Sequence, residues 1–232
     1  MNKSHRITNV LATCALLAAT ACSGSFEEVR APFHASVPAG ASPMVTITNA
    51  VGEVRVKPSD AGAVDVAATK YASNQTELAN IEIVARPVDG GVSIETQYRG
   101  EHGGGVRYDI TVPRGASLRI TNSVGTIKVG PIDGNVLAHT GTGTIDASLG
   151  RVAANRSVDL KSGTGTIALH IAGDSSANVS ASSALGNISS DFPSVEAIRN
   201  NLVGSSAAGR IGDGAATVHL SVGTGSISID RD

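Results

Sequence analysis

The sequence predicts an all-β fold, a β-solenoid of 18–22-residue rungs preceded by a less regular N-terminal β part. Three observations predict it. The first is composition: of 232 residues, 41% are hydrophobic but only 3% aromatic, and 27 are glycine, which suits short strands and tight turns more than a core built on large rings. The second is a pattern of alternating aliphatics, Φ-x-Φ, five spacer residues of which the fifth is glycine, then x-Φ-x-Φ, which occurs in six copies and defines a pair of strand arms each time. The third is a glycine two residues before the third aliphatic of every copy: Gly52, Gly125, Gly143, Gly165, Gly186 and Gly225. A bend with positive φ and close backbone approach accounts for these structural turn glycines, and for the small residues two positions earlier, Ala50, Ser123, Gly141, Gly163, Ala184 and Gly223.

The chain opens with the basic stretch MNKSHR, an apolar run from Ile7 to Ala21, and small residues, the order of a secretory signal peptide over residues 1–21. The run is too short, and too interrupted by Thr and Asn, to span a bilayer, and no later stretch approaches about 20 apolar residues. Ala19-Thr20-Ala21-Cys22 resembles a bacterial lipobox, so Cys22 is the expected lipidation site, with ordinary cleavage after Ala21 as the alternative. Ser23 after that cysteine favours outer-membrane sorting, by resemblance to Gram-negative lipoproteins. Residues 22–40 then read as a linker and 41–232 as one domain. Cys14 lies inside the signal, so the mature domain has no internal disulfide and depends on its own packing. Loss of Lys3 and Arg6 with the signal leaves 16 basic against 20 acidic residues, a charge of −4. Nucleic acid as a partner would call for a basic stripe, and none is present.

Along the domain, the inward set begins with Val45, Ile47, Val54 and Val56 and ends with Val218, Leu220, Ile227 and Ile229. Between them, copies start at Leu118, Val136, Val158 and Val179, in steps of 18, 22 and 21 residues, the length of one coil. One rung stacks on the next at about 4.8 Å, and no rung can bury its aliphatics alone. The copies at 136 and 179 place Ala138, Ala147, Ala181 and Ser190 where the others carry larger aliphatics, which predicts a thinner core there. Before the array, the runs VDVAATKY, IEIVARP, VSIETQY and VRYDITVP are longer strands around polar loops at 72–77 and 99–105. After Val179 the next copy is 39 residues away rather than about 20, so 191–214 is an insertion. It either closes the end of the coil or carries partner contacts through Phe192, Glu196, Arg199 and Arg210.

The stretches ITNAVGEVRVKPSDAGAVDVAATKY, YDITVPRGASLRITNSVGTIKV, the serial GTGTI and the closing RIGDGAATVHLSVGTGSISI, taken in order, resemble the bacterial putative-adhesin family with toast-rack β-strand repeats, over residues 40–232. The resemblance implies a single-stranded, right-handed β-helix-like solenoid, and that hand also suits the general crossover rule. It implies no established activity and supplies no catalytic residues.

Enzymatic chemistry finds little support. β-Helical lyases and hydrolases gather carboxylates on one face, whereas the outward columns, Thr46, Arg119, Leu137, Asp159, Ser180, His219 and Arg55, Lys128, Asp146, Ala168, Ser189, Ser228, hold one acid each. Lys128 beside Asp146 reads as a surface ion pair. Calcium-binding nonapeptide repeats would need Asp in every turn where only Asp146 supplies one. His34, His102, His139, His170 and His219 lack metal-ligand spacing and read as solvated. Thr142 and Thr144, with Thr164 and Thr166, suggest an ice-binding ladder, but only two adjacent copies match, and hydroxyls at a turn explain them more simply. The expectation is a protein without catalytic residues, metal or cofactor: a lipid-anchored surface or periplasmic binding module of the cell envelope. The alternative is a structural or stress-response accessory acting through an envelope protein partner. In either case the membrane is met only through the lipid.

Overall fold

The computed structural model describes residues 28–100, 103–199 and 204–232. The signal and Cys22 lie outside these residues. The described residues are all-β apart from one five-residue helix. Its scaffold is a stack of long strands: β2 (Met44–Ser59), β7 (Ser117–Val129), β8 (Val136–Gly150), β9 (Ser157–Ile171) and β14 (Ala216–Arg231), with β10 (Ala177–Leu185) and β11 (Ile188–Ser190) forming one interrupted member. Neighbours are parallel and in register, so that Val45, Leu118, Val136 and Val158 line up across four strands.

Each long strand bends at its corner glycine into two arms. In β7 the buried positions are Leu118, Ile120 and Asn122 before the bend, and Ile127 and Val129 after it. Burial thus shifts from even to odd positions across the corner, which keeps both arms facing the same core. All 24 inward positions are buried except Ser190, which is half-buried. The alanines of the copies at 136 and 179 are buried as fully as the larger aliphatics elsewhere. The return segments 130–135 and 151–156 add Ile132 and Val152 to the core, and they also bond from rung to rung: Asp133 N donates to Arg114 O at 2.7 Å and Ser176 N to Val152 O at 3.0 Å. Buried Arg156 joins two of these segments through Nε to Gly134 O and Nη1 to Arg151 O. Burial pushes its guanidinium below its ordinary pKa, opposed by Asp133.

The stack is closed differently at its two ends. At the first, β5 (Gly91–Tyr98) and then β4 (Ile81–Val88) extend the first arm of β2, while β6 (Gly105–Pro113), β3 (Ala63–Ala72) and β1 (Val29–Pro38) extend the second. Helix α1 (Gln75–Ala79) plugs this end with buried Leu78; the Asn74 side chain caps it by accepting from Glu77 N at 2.9 Å. Pro32 and Pro38 on β1 and Pro87 on β4 blunt the outer edges. At the other end β13 (Ser205–Ile211) pairs antiparallel with β10, and β12 (Val195–Arg199) with β13.

Three expectations need correction. The linker assigned to 22–40 is strand β1 from Val29 onward, because Val29, Ala31, Phe33, Ala35 and Val37 form an alternating inner face that pairs with β3. The final copy does not stack after the one at Val179: β14 lies between β9 and β10. The segment 191–214 contains the sheet β12–β13, and Phe192, at 6% exposure, packs with Val195, Ala207 and Ile211 in the core, so it is not an exposed contact residue.

Candidate binding surface

The outer faces take their geometry from the corners. Gly52, Gly125, Gly143, Gly165, Gly225 and Gly186 run side by side with φ between +127° and +150°. A Cβ on Gly143 would lie 1.9 Å from Gly125 O, and one on Gly165 would lie 1.9 Å from Gly143 O. Both conformation and space therefore require glycine. The column two residues earlier needs only the close approach: Gly141, Gly163 and Gly223 are not in the positive-φ region, and Ala50, Ser123 and Ala184 fill equivalent places.

Behind the glycines, inside the corner, runs a buried polar column that the aliphatic pattern did not reveal: Asn49, Asn122, Thr140, Ser162 and Ser183. Three of its side chains serve the carbonyl oxygens turned away at the bend, whereas the Thr140 hydroxyl has no hydrogen-bond partner among the described residues. Asn122 Nδ2 donates to Gly52 O at 3.0 Å, Ser162 Oγ to Gly143 O at 3.3 Å and Ser183 Oγ to Gly225 O at 3.0 Å. Asn49 Nδ2 donates to Asn122 Oδ1, while Asn49 Oδ1 accepts from Thr96, whose hydroxyl meets that of Tyr108 at 2.7 Å. Burial raises the Tyr108 hydroxyl pKa well above its ordinary value, so it stays protonated in this network. At the far end Ser205 Oγ donates to Gly186 O at 2.8 Å and terminates the column. The available signal was a polar residue three before the corner glycine in five of six copies; Val222 is the exception.

With the corners held in this way, the first arms form one continuous outer face from β4 to β12. Its central column runs Thr46, Arg119, Leu137, Asp159, His219 and Ser180, and then Ala208 and Glu196 on the added hairpin. A shallow depression of about 260 Å³ on this face is lined by Met44, Leu118, Arg119, Asn135, Val136, Leu137, Ser157 and Asp159. It brings exposed Arg119, the 42%-exposed thioether of Met44 and half-buried Leu137 together with Asp159. Asp159 Oδ2 accepts from Lys161 Nζ at 2.8 Å, and Oδ1 has no hydrogen-bond partner among the described residues. His219 Nδ1 meets Ser180 Oγ at 3.0 Å. On the hairpin, Glu196 and Arg210 are exposed on the same face as Ile198, which is 61% exposed. Arg199 ends β12 opposite Ser205.

The second arms carry a charge network instead. Arg55 bonds Glu53 at 2.7 Å and Asp109 at 3.2 Å. Lys128 lies 3.4 Å from Glu53, so the ion pair expected with Asp146 is made with Glu53. Burial raises the Glu53 pKa, but Arg55 and Lys128 outweigh it and hold the carboxyl below its ordinary value. His170 is not simply solvated: Nε2 is 3.7 Å from Asp146 and Nδ1 3.6 Å from Asp230. Those carboxylates approach opposite ring nitrogens, and among the described residues no group of three or more His, Cys, Asp or Glu converges on a metal position. No helix among them is long and apolar enough to cross a membrane.

No family model and no curated protein matches the chain. Among solved structures it is similar to a "putative cell adhesion protein" from Clostridium sporogenes, at 14% identity and a TM-score of 0.60, over 87% of this chain and 100% of that one. A "putative adhesin" from Bacteroides fragilis aligns over 88% of this chain and 97% of its own at 12% identity, but its TM-score of 0.30 carries no argument. At such identity the first likeness speaks for the fold: the described strands have the architecture of a protein described as adhesive.

Proposed function

We propose that this chain is a non-enzymatic, exported cell-envelope protein, anchored by acylation of Cys22, that binds a surface ligand or envelope partner on the outer face of its first arms. The observation that carries the reading is that face itself. It is a broad sheet surface, and its depression groups a cation, a carboxylate and apolar side chains, the mixture found in recognition patches. Likeness to a cell adhesion protein supports the same reading at the level of fold. The parallel, in-register rungs support a solenoid of single-stranded coils, with the right hand taken from the crossover rule. Outer-membrane attachment follows from the lipobox-like segment, and neither a cofactor nor nucleic acid enters the proposal.

The test compares Met44→Ser/Arg119→Ala/Leu137→Ser with Glu196→Ala/Arg199→Ala/Arg210→Ala. Both variants are first shown by circular dichroism to retain the fold. Retention of protein-coated beads on immobilised envelope extract is then measured. The first variant is expected to lose at least about tenfold in retention, since truncating central contacts of a patch costs more than about 1 kcal/mol each, while the second keeps most of it. Loss with the hairpin variant alone would move the contact to 191–214, and loss with neither would refute binding by these faces.

A further inference from the structure

β9 and β10 are joined by the five residues of 172–176 yet do not pair, because β14 runs between them, parallel to both. Six residues join β7 to β8 and six join β8 to β9, and those strands are direct neighbours. The shorter connection therefore crosses the wider gap. The two strands it joins already share a register through β14: Val158 is matched to Val179 and Leu160 to Ala181 by way of Val218 and Leu220, and Ile167 to Ile188 by way of Ile227. The corner column points the same way. Val222, at the polar position on β14, has no hydroxyl to offer Gly165 O, whereas Ser183 on β10 carries one and gives it to Gly225 O.

We propose that β14 is a detachable strand, and that when it leaves, β10 closes directly onto β9 in the same register. Ser183 then serves Gly165 O in place of Gly225 O, and β13 and β12 move with β10 by one strand spacing. Val218, Leu220, Val222, Ile227 and Ile229, all nearly inaccessible in the inserted state, become exposed. That loss makes the inserted state the resting one. The hinge is 212–215, where Gly212 and Gly214 take φ of +54° and +70°. The repetition of one motif in β9, β10 and β14 is what gives the two arrangements comparable backbone pairing. This device is independent of the proposed binding face.

The test uses the full chain with Cys14 and Cys22 changed to Ser. Ala168 and Ser189 lie on either side of Ser228, two strand spacings or about 9–10 Å apart, outside the range of about 4.4–6.8 Å that a disulfide spans. Ala168→Cys/Ser189→Cys can therefore link within one chain only when β14 is out. Lys128→Cys/Ala168→Cys has the same separation across β8 and reports general unfolding. Under oxidation in native buffer, the first pair is expected to link at least about tenfold faster than the second, and the linked protein to lose its residues after 214 to protease. Equal rates for the two pairs, or a linked protein whose β14 stays protected, would overturn the proposal. Should the first variant fail to fold when reduced, hydrogen exchange on the chain without substitutions decides. Amides of β14 are then expected to exchange at least about tenfold faster than those of β8, and equal exchange would overturn the proposal.

Discussion

Replacing Gly143 by alanine separates the two demands made at each corner. Its φ is +145°, a region essentially closed to L side chains, which alone costs about 1–3 kcal/mol. The added Cβ would also lie 1.9 Å from Gly125 O and 2.7 Å from Gly125 C. Those are backbone atoms of β7, and Gly143 is pinned on its other side by β9, so relief needs a shift of more than 1 Å in a sheet bonded along both edges. The combined cost should exceed about 4 kcal/mol, the range reserved for a named structural fault. Gly150→Ala is the matched control: φ is +59°, and the nearest atom to its Cβ would be Pro131 Cβ at 3.7 Å, so about 1 kcal/mol is expected. For a domain of about 200 residues each kcal/mol lowers Tm by about 2–4 °C. Thermal and urea unfolding followed by circular dichroism should thus show Gly143→Ala lower by about 10 °C or more and Gly150→Ala by only a few degrees. Equal losses would mean that close approach at the corner does not matter.

Ile167→Ser should cost about 2–4 kcal/mol through lost burial and an added buried hydroxyl, against under about 1 kcal/mol for exposed Thr166→Ser; equal urea midpoint shifts would put the strand one residue out of phase. Asn122→Leu takes from Gly52 O its side-chain donor and from Asn49 Nδ2 one of its acceptors, leaving it Val51 O at 3.2 Å, so a loss of about 1–3 kcal/mol is expected, and a neutral result would show that the buried column is dispensable. Glu53→Gln should be pH-dependent. The folded pKa is depressed, so the stabilisation is present above the unfolded carboxylate pKa and disappears as pH falls through the lower folded value. With the side chain 23% exposed, the expected penalty at pH 7 is at most about 1 kcal/mol and shrinks as pH falls below the ordinary carboxylate range; a Tm difference unchanged from pH 7 into acid would count against it. Mass spectrometry of the mature N-terminus should find acylated Cys22, and an unmodified cysteine or a start elsewhere would remove the lipid anchor.

The arms were legible in the sequence because the period-two aliphatics carry their own phase. Val45 and Ile47 face inward, the six residues between Ile47 and Val54 shift the parity once, and Val54 and Val56 face inward again. The corner glycines were legible for a related reason, since a residue required by both φ and space cannot vary. The polar column was missed although it sits in the same frame. Asn, Thr and Ser before a glycine also mark an ordinary turn, and only the structure shows that their side chains point inward to the carbonyls of the neighbouring rung. β1 was missed because Pro32, Pro38 and the small residues around Phe33 resemble a linker, whereas on an edge strand prolines are admissible.

The placement of β14 was illegible on a deeper ground. A repeat specifies what each strand wants on either side, a parallel neighbour with aliphatics in step and a glycine at the corner, and β8, β9, β10 and β14 satisfy one another equally in those terms. Order among interchangeable strands is decided by loops and ends. The hairpin β12–β13 covers the outer edge of β10, with Phe192 and Val195 in the core and Ser205 on the last corner carbonyl, so β10 must be the outermost long strand and β14 must enter beneath it. The residues that make this decision lie within 191–214, where the aliphatic pattern stops. The sequence left that segment either to close the end of the coil or to carry partner contacts, and its buried Phe192 and Val195 set the order of the stack. The proposed binding face lies on the first arms, whose central column of Arg119, Leu137 and Asp159 is contiguous because β7, β8 and β9 stack in chain order.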